Sequence, residues 1–444
     1  MTVTMLVGPG AERLPAVPTQ GYGHAMIDPA DKAFLTDLFN AAIRAADAKK
    51  VLQGYLPAKP KGKTVVIGAG KGAAQLAAAF EELWGEPVEG VVVTRYGYGA
   101  PCQNIRVMEA AHPVPDAAGL AAADALIEAV SGLCEDDLVI ALITGGGSAL
   151  LPAPPGGLTL DDEQLLNEVL LASGAPISVM NAIRKHVSRI KGGRLAMAAF
   201  PANVLSLIVS DVPGDAPSQV ASGPTVPDEA DQAQALAAIS AWNIDVPPHI
   251  VEYIRTNPAP APSHPAFARN RAEVVASARL SLEAAAARAL TLGIPAVILS
   301  DAIEGEAREV AKMHGAMTHE VLTRNRPFSA PCVLLSGGET TVTLNGAGRG
   351  GRNTEFLLSL AITCEGLKGF TALAADTDGI DGSEDNAGAF ANGQSAGRLR
   401  AMGQDPSALL TANDAWGAFD ALGDLFSPGP TGTNVNDFRA ILIR

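Results

Sequence analysis

Lys63-Thr64-Val65-Val66-Ile67-Gly68-Ala69-Gly70-Lys71-Gly72 runs into an Ala- and Leu-rich stretch from Ala73 to Trp84. The apolar run ending at Ile67 carries no alternating polar residue, as in a strand buried on both faces. The glycines then turn the chain, and Ala73–Trp84 has the composition of a helix. The pattern repeats after Leu138–Ile143, where Thr144-Gly145-Gly146-Gly147-Ser148 follows. A third Gly-rich segment, Ser336-Gly337-Gly338-Glu339, passes through Thr341–Leu344, read as a short alternating strand. It continues through Gly346, Gly348, Arg349, Gly350, Gly351, Arg352, Asn353, Thr354 and Glu355 into an apolar helix, Phe356–Ile362. Glycine-rich turns after apolar runs imply α/β architecture, with ligands held at the carboxyl ends of strands.

The same alternation extends outward. Asp31–Leu52 reads as one amphipathic helix with Asp31 as its cap, Val88–Thr94 as a strand and Ala117–Val130 as a helix. Asp161–Ala172 and Ile177–Ile190 read as helices, and Val204–Val209 as a strand. A second series comprises strands at Glu273–Ala276, Ala296–Ser300, Cys332–Leu335, Thr371–Ala375 and Ala440–Ile443. Helices are expected at Leu280–Leu292 and Glu306–Thr323. Strand–helix–strand units predict a parallel sheet with right-handed crossovers. At 444 residues two domains are expected. Pro258, Pro260, Pro262 and Pro265 mark the boundary. The divisions are a loose tail over 1–26, an N-terminal α/β domain over 27–265 and a smaller α/β domain over 266–444.

A composition of 48% hydrophobic and 18% charged residues is that of a globular chain. A net charge of −15 argues against a nucleic-acid or anionic-membrane surface. Any anionic substrate therefore needs a local basic pocket. Cys102, Cys134, Cys332 and Cys364 show no metal or disulfide spacing, which fits free thiols in a reducing cytoplasm. No apolar run reaches the ~18 residues of a membrane span, and no signal peptide is read.

Lys71 stands at a helix N-terminus, where its charge opposes the helix dipole. An anion held between Lys71 and the turn would remove that conflict. Gly68-x-Gly70-x-x-Ala73 matches a loose dinucleotide fingerprint. However, the following strand ends in Thr94-Arg95, without the acid that binds a ribose. Gly145–Ser148 lacks the spacing of a nucleophile elbow. The Arg352 loop suits carboxylate or phosphate, because a guanidinium is a charged planar fork. Arg184 to Arg194 is basic without interspersed acids. On a continuous helix Arg184, Ser188 and Lys191 would share a face, as would Lys185 and Arg189. Asp211, Asp215, Asp376, Asp378 and Asp381 occupy turns after strands, a natural place for Asp and also one suited to Mg²⁺. Thr431–Asp437 is a polar loop whose role stays open.

In their order along the chain these motifs resemble the two-domain glycerate 2-kinases, some of which carry the name hydroxypyruvate reductase. The resemblance rests on Gly-Ala-Gly-Lys71-Gly, His112-Pro-Val-Pro-Asp116, Gly-Gly-Gly-Ser148-Ala, Asn181–Gly193, Ser210–Asp215 and Ser222-Gly-Pro-Thr225. It continues through Ser336–Glu339, Gly350-Gly-Arg352-Asn-Thr-Glu355, Asp378-Gly-Ile-Asp381-Gly and Thr431–Asp437. Where the family usually has Gln after Arg-Asn, this chain has Thr354.

The resemblance implies a Rossmann-like parallel-sheet N-terminal domain, a smaller C-terminal α/β domain of the MOFRL type, and an active site in the cleft between them. It implies ATP-dependent phosphorylation of D-glycerate at its 2-hydroxyl with Mg²⁺, Lys71 and Arg352 being the catalytic pair. The expected nucleotide cradle comprises Gly68, Gly70, Gly145, Gly146, Gly147, Ser148, Gly337, Gly338 and Glu339. Arg184, Lys185 and Lys191 are expected at the substrate, and Asp211 and Asp378 at the metal. A cytoplasmic enzyme is expected, with homodimerisation left open. The competing expectation is an NAD(P)H-dependent hydroxypyruvate reductase, with Arg95 serving a 2′-phosphate.

Overall fold

The structure is a computed structural model that describes residues 26–444. The expected loose tail, save Met26, lies outside the described residues. The described residues build two six-stranded sheets. The first contains β1 (Thr64–Ala69), β2 (Glu89–Arg95), β3 (Ile105–Ala110), β4 (Leu138–Thr144), β5 (Asn203–Val209) and β6 (Arg271–Ala276). All are parallel, in the order β3-β2-β1-β4-β5-β6. That order reverses direction between β1 and β4, which opens a crevice at the carboxyl ends there.

The apolar runs separate by strand parity. Val65, Ile67, Ala69, Val91, Val93, Val139, Ala141 and Ile143 pack on one face with Ala122 and Leu126 of the helix Ala117–Val130. Val66, Val92, Ile140 and Leu142 pack on the other with Leu76, Phe80 and Trp84 of the helix Ala73–Trp84. Each fully buried Val, Leu, Ile or Phe contributes about 1.5–3 kcal/mol, so neither face can be left open to water.

The second sheet contains β7 (Ala296–Glu306), β8 (Cys332–Thr341), β9 (Phe370–Asp376), β10 (Gly388–Asn392), β11 (Leu425–Phe426) and β12 (Asp437–Ile443). Its order is β11-β10-β9-β12-β8-β7. Only β7 and β8 pair in parallel; β12 is antiparallel to both β8 and β9. The helix Arg352–Thr363 covers one face through Phe356, Leu357 and Leu360.

The expected helix Asp31–Leu52 is two helices, Pro29–Ala45 and Ala48–Gln53, broken where Asp47 caps the second through the Lys50 amide (3.1 Å). The break lets the chain change layers. Leu35, Leu38, Phe39 and Ala42 pack on the second sheet with Leu335, Leu373 and Phe438. Val51 and Leu52 pack on the first. Asp31 fastens the first helix to Thr371 (2.9 Å) and Arg444 (2.7 Å). At the other crossing, β6 pairs with β5, so the first sheet takes in residues beyond the Pro-rich segment. The chain leaves it after Ala276.

Two further readings differ. Residues 342–350 form a loop, and the strand lies earlier, with Gly337 and Gly338 inside β8 between β7 and β12. The helix expected over Ile177–Ile190 ends at Arg184, followed by one 3₁₀ turn over Lys185–Val187.

Candidate active site

The carboxyl ends of the first sheet face the carboxyl ends of β8 and β9 in the second across a cleft holding two adjoining cavities. The larger, of about 580 Å³, is lined by Lys71, Arg95 and Tyr98 on one side. Glu339, Arg352, Asp376 and Asp378 line the other. The smaller, of about 250 Å³, shares Lys71, Tyr98 and Asp378 and extends to Gln75 and Asn434. Lys71 and Asp378 therefore stand where the cavities meet.

The turn that carries Lys71 spends its amides on the protein itself. Gly70 donates to Val93 O (3.1 Å), Lys71 to Gly145 O (2.9 Å), Gly72 to Thr144 Oγ1 (3.0 Å) and Ala73 to Gly70 O (3.1 Å). What the turn offers the cleft is the Lys71 side chain. Among the described residues no carboxylate lies within ion-pair distance of its ammonium. Gly145, at the end of β4, makes room for Asp211: a Cβ there would lie 1.9 Å from Asp211 Oδ2. Burial raises the Asp211 carboxyl to about 6; Glu339 across the cleft adds to this, while Lys71 and the Gly146 amide oppose it. Asn436 Nδ2 donates to Asp211 O (2.6 Å) and ties the two walls together. Burial, with Lys71 and Arg95, lowers His112 to about 4 and keeps it neutral at pH 7. Ser148 Oγ lies 2.8 Å from Ser222 Oγ, which donates to Asn181 Oδ1 (2.9 Å).

The basic cluster divides. Arg184 donates to Asn167 Oδ1 (2.7 Å) and Asn181 Oδ1 (3.3 Å), which places it three hydrogen bonds from Ser148, through Asn181 and Ser222. Lys185 is buried on Asp228 (2.6 Å) and Lys191 on Glu163 (2.5 Å). The shared helical faces expected for this cluster do not form, because the helix stops at Arg184. Those two lysines are held in buried ion pairs supplied by acids 43 and 28 residues away.

On the opposite wall Arg352 opens the helix Arg352–Thr363. Nε donates to Asp437 Oδ1 (2.6 Å), Nη1 to Glu339 Oε1 (2.8 Å) and Nη2 to Asp376 Oδ2 (2.7 Å). Burial works against the Arg352 charge, but Asp437, Asp376 and Glu339 hold its pKa above the usual value. Asp437 is shared with Arg439, which donates to its Oδ2 from the fully buried side of the sheet. Burial raises Asp376 well above the carboxylate range; Arg352 opposes this, and Asp378 and Asp437 reinforce it.

The Arg352 loop reads in sequence as suited to an external carboxylate or phosphate, but the helix N-terminus behind it is already occupied. Asp381 fills it, accepting from Asn353 N (2.9 Å), Thr354 N (2.8 Å) and Thr354 Oγ1 (2.8 Å). Gly351 permits this approach: a Cβ there would stand 2.4 Å from Asp381 Oδ1. Thr354 is thus part of the cap. Likewise Gly337 and Gly338 sit inside β8, while Glu339 beside them turns its carboxylate to Arg352.

Asp378 lines both cavities, and Asp376 precedes it in the same turn, joined by the Asp378 amide (3.1 Å). No group of three or more metal-ligating side chains converges among the described residues. Tyr98, Asp437 and Arg439 join the site beyond the residues singled out from sequence, while Asp376 and Asp381, read there as suited to Mg²⁺, bind Arg352 and the N-terminus of its helix. The Asp-rich turn and the end of Thr431–Asp437 were visible as motifs, but their partners were not.

Residues 34–255 match the family model described as "Domain of unknown function (DUF4147)", and residues 332–437 match that of the MOFRL family. The D-glycerate 2-kinase of Thermotoga maritima is 36% identical over 421 residues, 94% of this chain and 100% of that protein. The glycerate 2-kinase of Pyrococcus horikoshii is 38% identical over 90% of this chain and 92% of that protein. The chain belongs to the glycerate 2-kinase family. A solved glycerate kinase structure from Thermotoga maritima superposes with a TM-score of 0.85. It is 35% identical and is covered in full by 94% of this chain. Within the family's reach also lies an Agrobacterium vitis protein that carries the provisional name hydroxypyruvate reductase. It is 49% identical over 94% of this chain and 95% of that one. The two-domain α/β architecture is thus that of a solved glycerate kinase.

Proposed function

We propose that this protein transfers the γ-phosphoryl group of ATP to the 2-hydroxyl of D-glycerate, giving 2-phosphoglycerate and ADP, in the cytoplasm. The observation that carries the reading is the pairing across the cleft. The ammonium of Lys71, with no carboxylate partner among the described residues, faces a wall of acids that hold Arg352. Phosphoryl transfer needs positioning and charge neutralisation more than covalent chemistry, and this arrangement supplies both. Lys71 would stabilise charge on the transferring group. Arg352 would hold the same group with the hydrogens that its three carboxylate contacts leave on Nη1 and Nη2. Its anchoring costs no reorganisation during the reaction.

The acids also fit Mg²⁺, which takes one or two carboxylates and completes its shell with water and phosphate. Asp378 and Asp211 would hold the ion or orient its waters. The upward displacement of Asp211 and Asp376 is the strain that a cation beside them would relieve. When bound, Mg²⁺ would neutralise charge on the phosphates. The Gly145–Ser148 turn would supply donors to phosphate, and Arg184, through Asn181 and Ser222, would support the glycerate side of that turn. Lys185 and Lys191 are spoken for by Asp228 and Glu163, so they fall outside the substrate set in this reading.

The reductase reading draws on the order of the first sheet and on the name of the Agrobacterium relative. Against it stands the Gly68–Gly72 turn, whose amides from Gly70 to Ala73 are all taken within the protein. A dinucleotide pyrophosphate would need such amides free. Purified protein given ATP, D-glycerate and Mg²⁺ should release ADP. With hydroxypyruvate it should leave NADH and NADPH absorbance unchanged. Nicotinamide oxidation without ADP release would reverse the conclusion.

A further inference from the structure

Arg95 ends β2 on the same wall as Lys71 and lines the larger cavity. It differs from Arg352 in one respect that decides its chemistry. Arg352 meets three carboxylates at 2.6–2.8 Å, which together outweigh its charge. Around Arg95 the described residues place no carboxylate within ion-pair distance and no acceptor within hydrogen-bond distance of the guanidinium. It is half-buried, so part of its hydration is already lost.

Its position is nevertheless built. A tight turn closes by the Tyr98 amide donating to Arg95 O (3.0 Å), with Gly97 at φ +78°. Gln75 Nε2 pins the turn by donating to Tyr98 O (3.1 Å). The turn brings the Tyr98 ring beneath the guanidinium, 4.3 Å from ring centre to carbon. The aromatic face holds the fork in orientation and uses none of its five N–H donors. His112, on the neighbouring strand end, feels both Lys71 and Arg95. The two cations thus converge on one region of the cavity.

We propose that Arg95 is a second anion-binding residue of the cleft, which grips, together with Lys71, an oxyanion group of the ligand on the first-sheet wall. The cleft is then polarised. Anions rest on the wall of Lys71 and Arg95, and the acids of the opposite wall are left to cations. The group is a phosphate of the nucleotide or the carboxylate of the acceptor; both present a pair of oxygen acceptors that the planar guanidinium fork can meet bidentately. The inference rests on the kinase reading only for the names of these ligands.

The test is titration calorimetry without metal, using inorganic tripolyphosphate and D-glycerate as separate probes on wild type, Arg95→Met and Arg95→Lys. Wild-type turnover of ATP and D-glycerate is measured alongside. Because the guanidinium makes no hydrogen bond or ion pair among the described residues and only stacks on Tyr98, both variants should melt within a few degrees of wild type. Arg95→Met should weaken one probe by at least about tenfold, the worth of a charge-assisted hydrogen bond. Arg95→Lys should recover only part, since a point charge does not replace a fork. Loss confined to tripolyphosphate assigns the phosphate, and loss confined to D-glycerate assigns the carboxylate. Unchanged affinity for both, or no binding of either probe to wild type, overturns the proposal. Arg95-dependent binding in a protein that shows no turnover would keep Arg95 and remove the kinase reading instead.

Discussion

Asp376 and Asp437 stand directly opposite each other on adjacent antiparallel strands, and one guanidinium, that of Arg352, clasps both. Like charges in that register repel. Arg352 is therefore a structural brace as well as a residue of the cleft. Arg352→Ala should abolish turnover and also destabilise the fold by about 3–5 kcal/mol, the cost of stranding buried carboxylates. Arg352→Lys should keep part of the stability and lose most of the activity. Urea unfolding with parallel kinetics checks this; a stable, inactive Arg352→Ala protein would contradict the brace.

Lys71 predicts the reverse pattern. It has no ion-pair partner among the described residues, and its backbone bonds do not involve the side chain. Lys71→Ala should lower kcat by roughly 10²–10³, as removal of one preorganised donor does. The melting temperature should stay close to that of wild type. Near-normal turnover would remove Lys71 from the mechanism.

Asp381 should matter through the helix that it caps. It accepts two amides and a hydroxyl at the N-terminus of Arg352–Thr363. Asp381→Ala should cost about 2 kcal/mol, at the upper end for a lost cap, and disturb Arg352 with it. Asp381→Asn keeps an acceptor and should cost less. Equal unfolding midpoints for wild type and Asp381→Ala would refute the capping role.

Burial, together with Lys185 and Arg194, lowers His186 to about 4, outweighing the backbone of Asn257 and Asp231, which acts the other way. The folded pKa lies below the unfolded value near 6.5, so the unfolded chain binds the proton first. Stability from this group is present above 6.5 and lost as pH falls from 6.5 towards 4. The loss should reach about 2 kcal/mol at pH 5. His186→Leu should be near wild type at pH 7.5 and gain on it by that amount at pH 5. Parallel stability curves for the two proteins across this range would contradict the assignment.

Much of the first sheet was legible because parallel strands covered on both faces read as unbroken apolar runs. Val65–Ala69 and Leu138–Ile143 are of that kind. The helix Pro29–Ala45 was legible as a helix, but nothing local shows that Phe39 packs on Phe438 across almost the whole chain. Likewise Lys71 and Arg352 were visible because they break the pattern of their glycine turns. Their environments were not. The acids around Arg352 lie 13, 24 and 85 residues away, and Asp381 lies 28 residues from the amide of Asn353. A loop that looked open to an external anion was closed by the protein's own carboxylate. Sequence spacing reports which groups exist and leaves out which of them neutralise each other.

The most direct test of the central claim is the identity of the phosphorylated product. Purified protein, D-glycerate, ATP and Mg²⁺ are incubated with enolase and no mutase. Enolase acts on 2-phosphoglycerate, so transfer to the 2-hydroxyl predicts phosphoenolpyruvate at once, in step with ADP. ADP release that yields phosphoenolpyruvate only after a mutase is added would place the phosphate on the 3-hydroxyl and contradict the account.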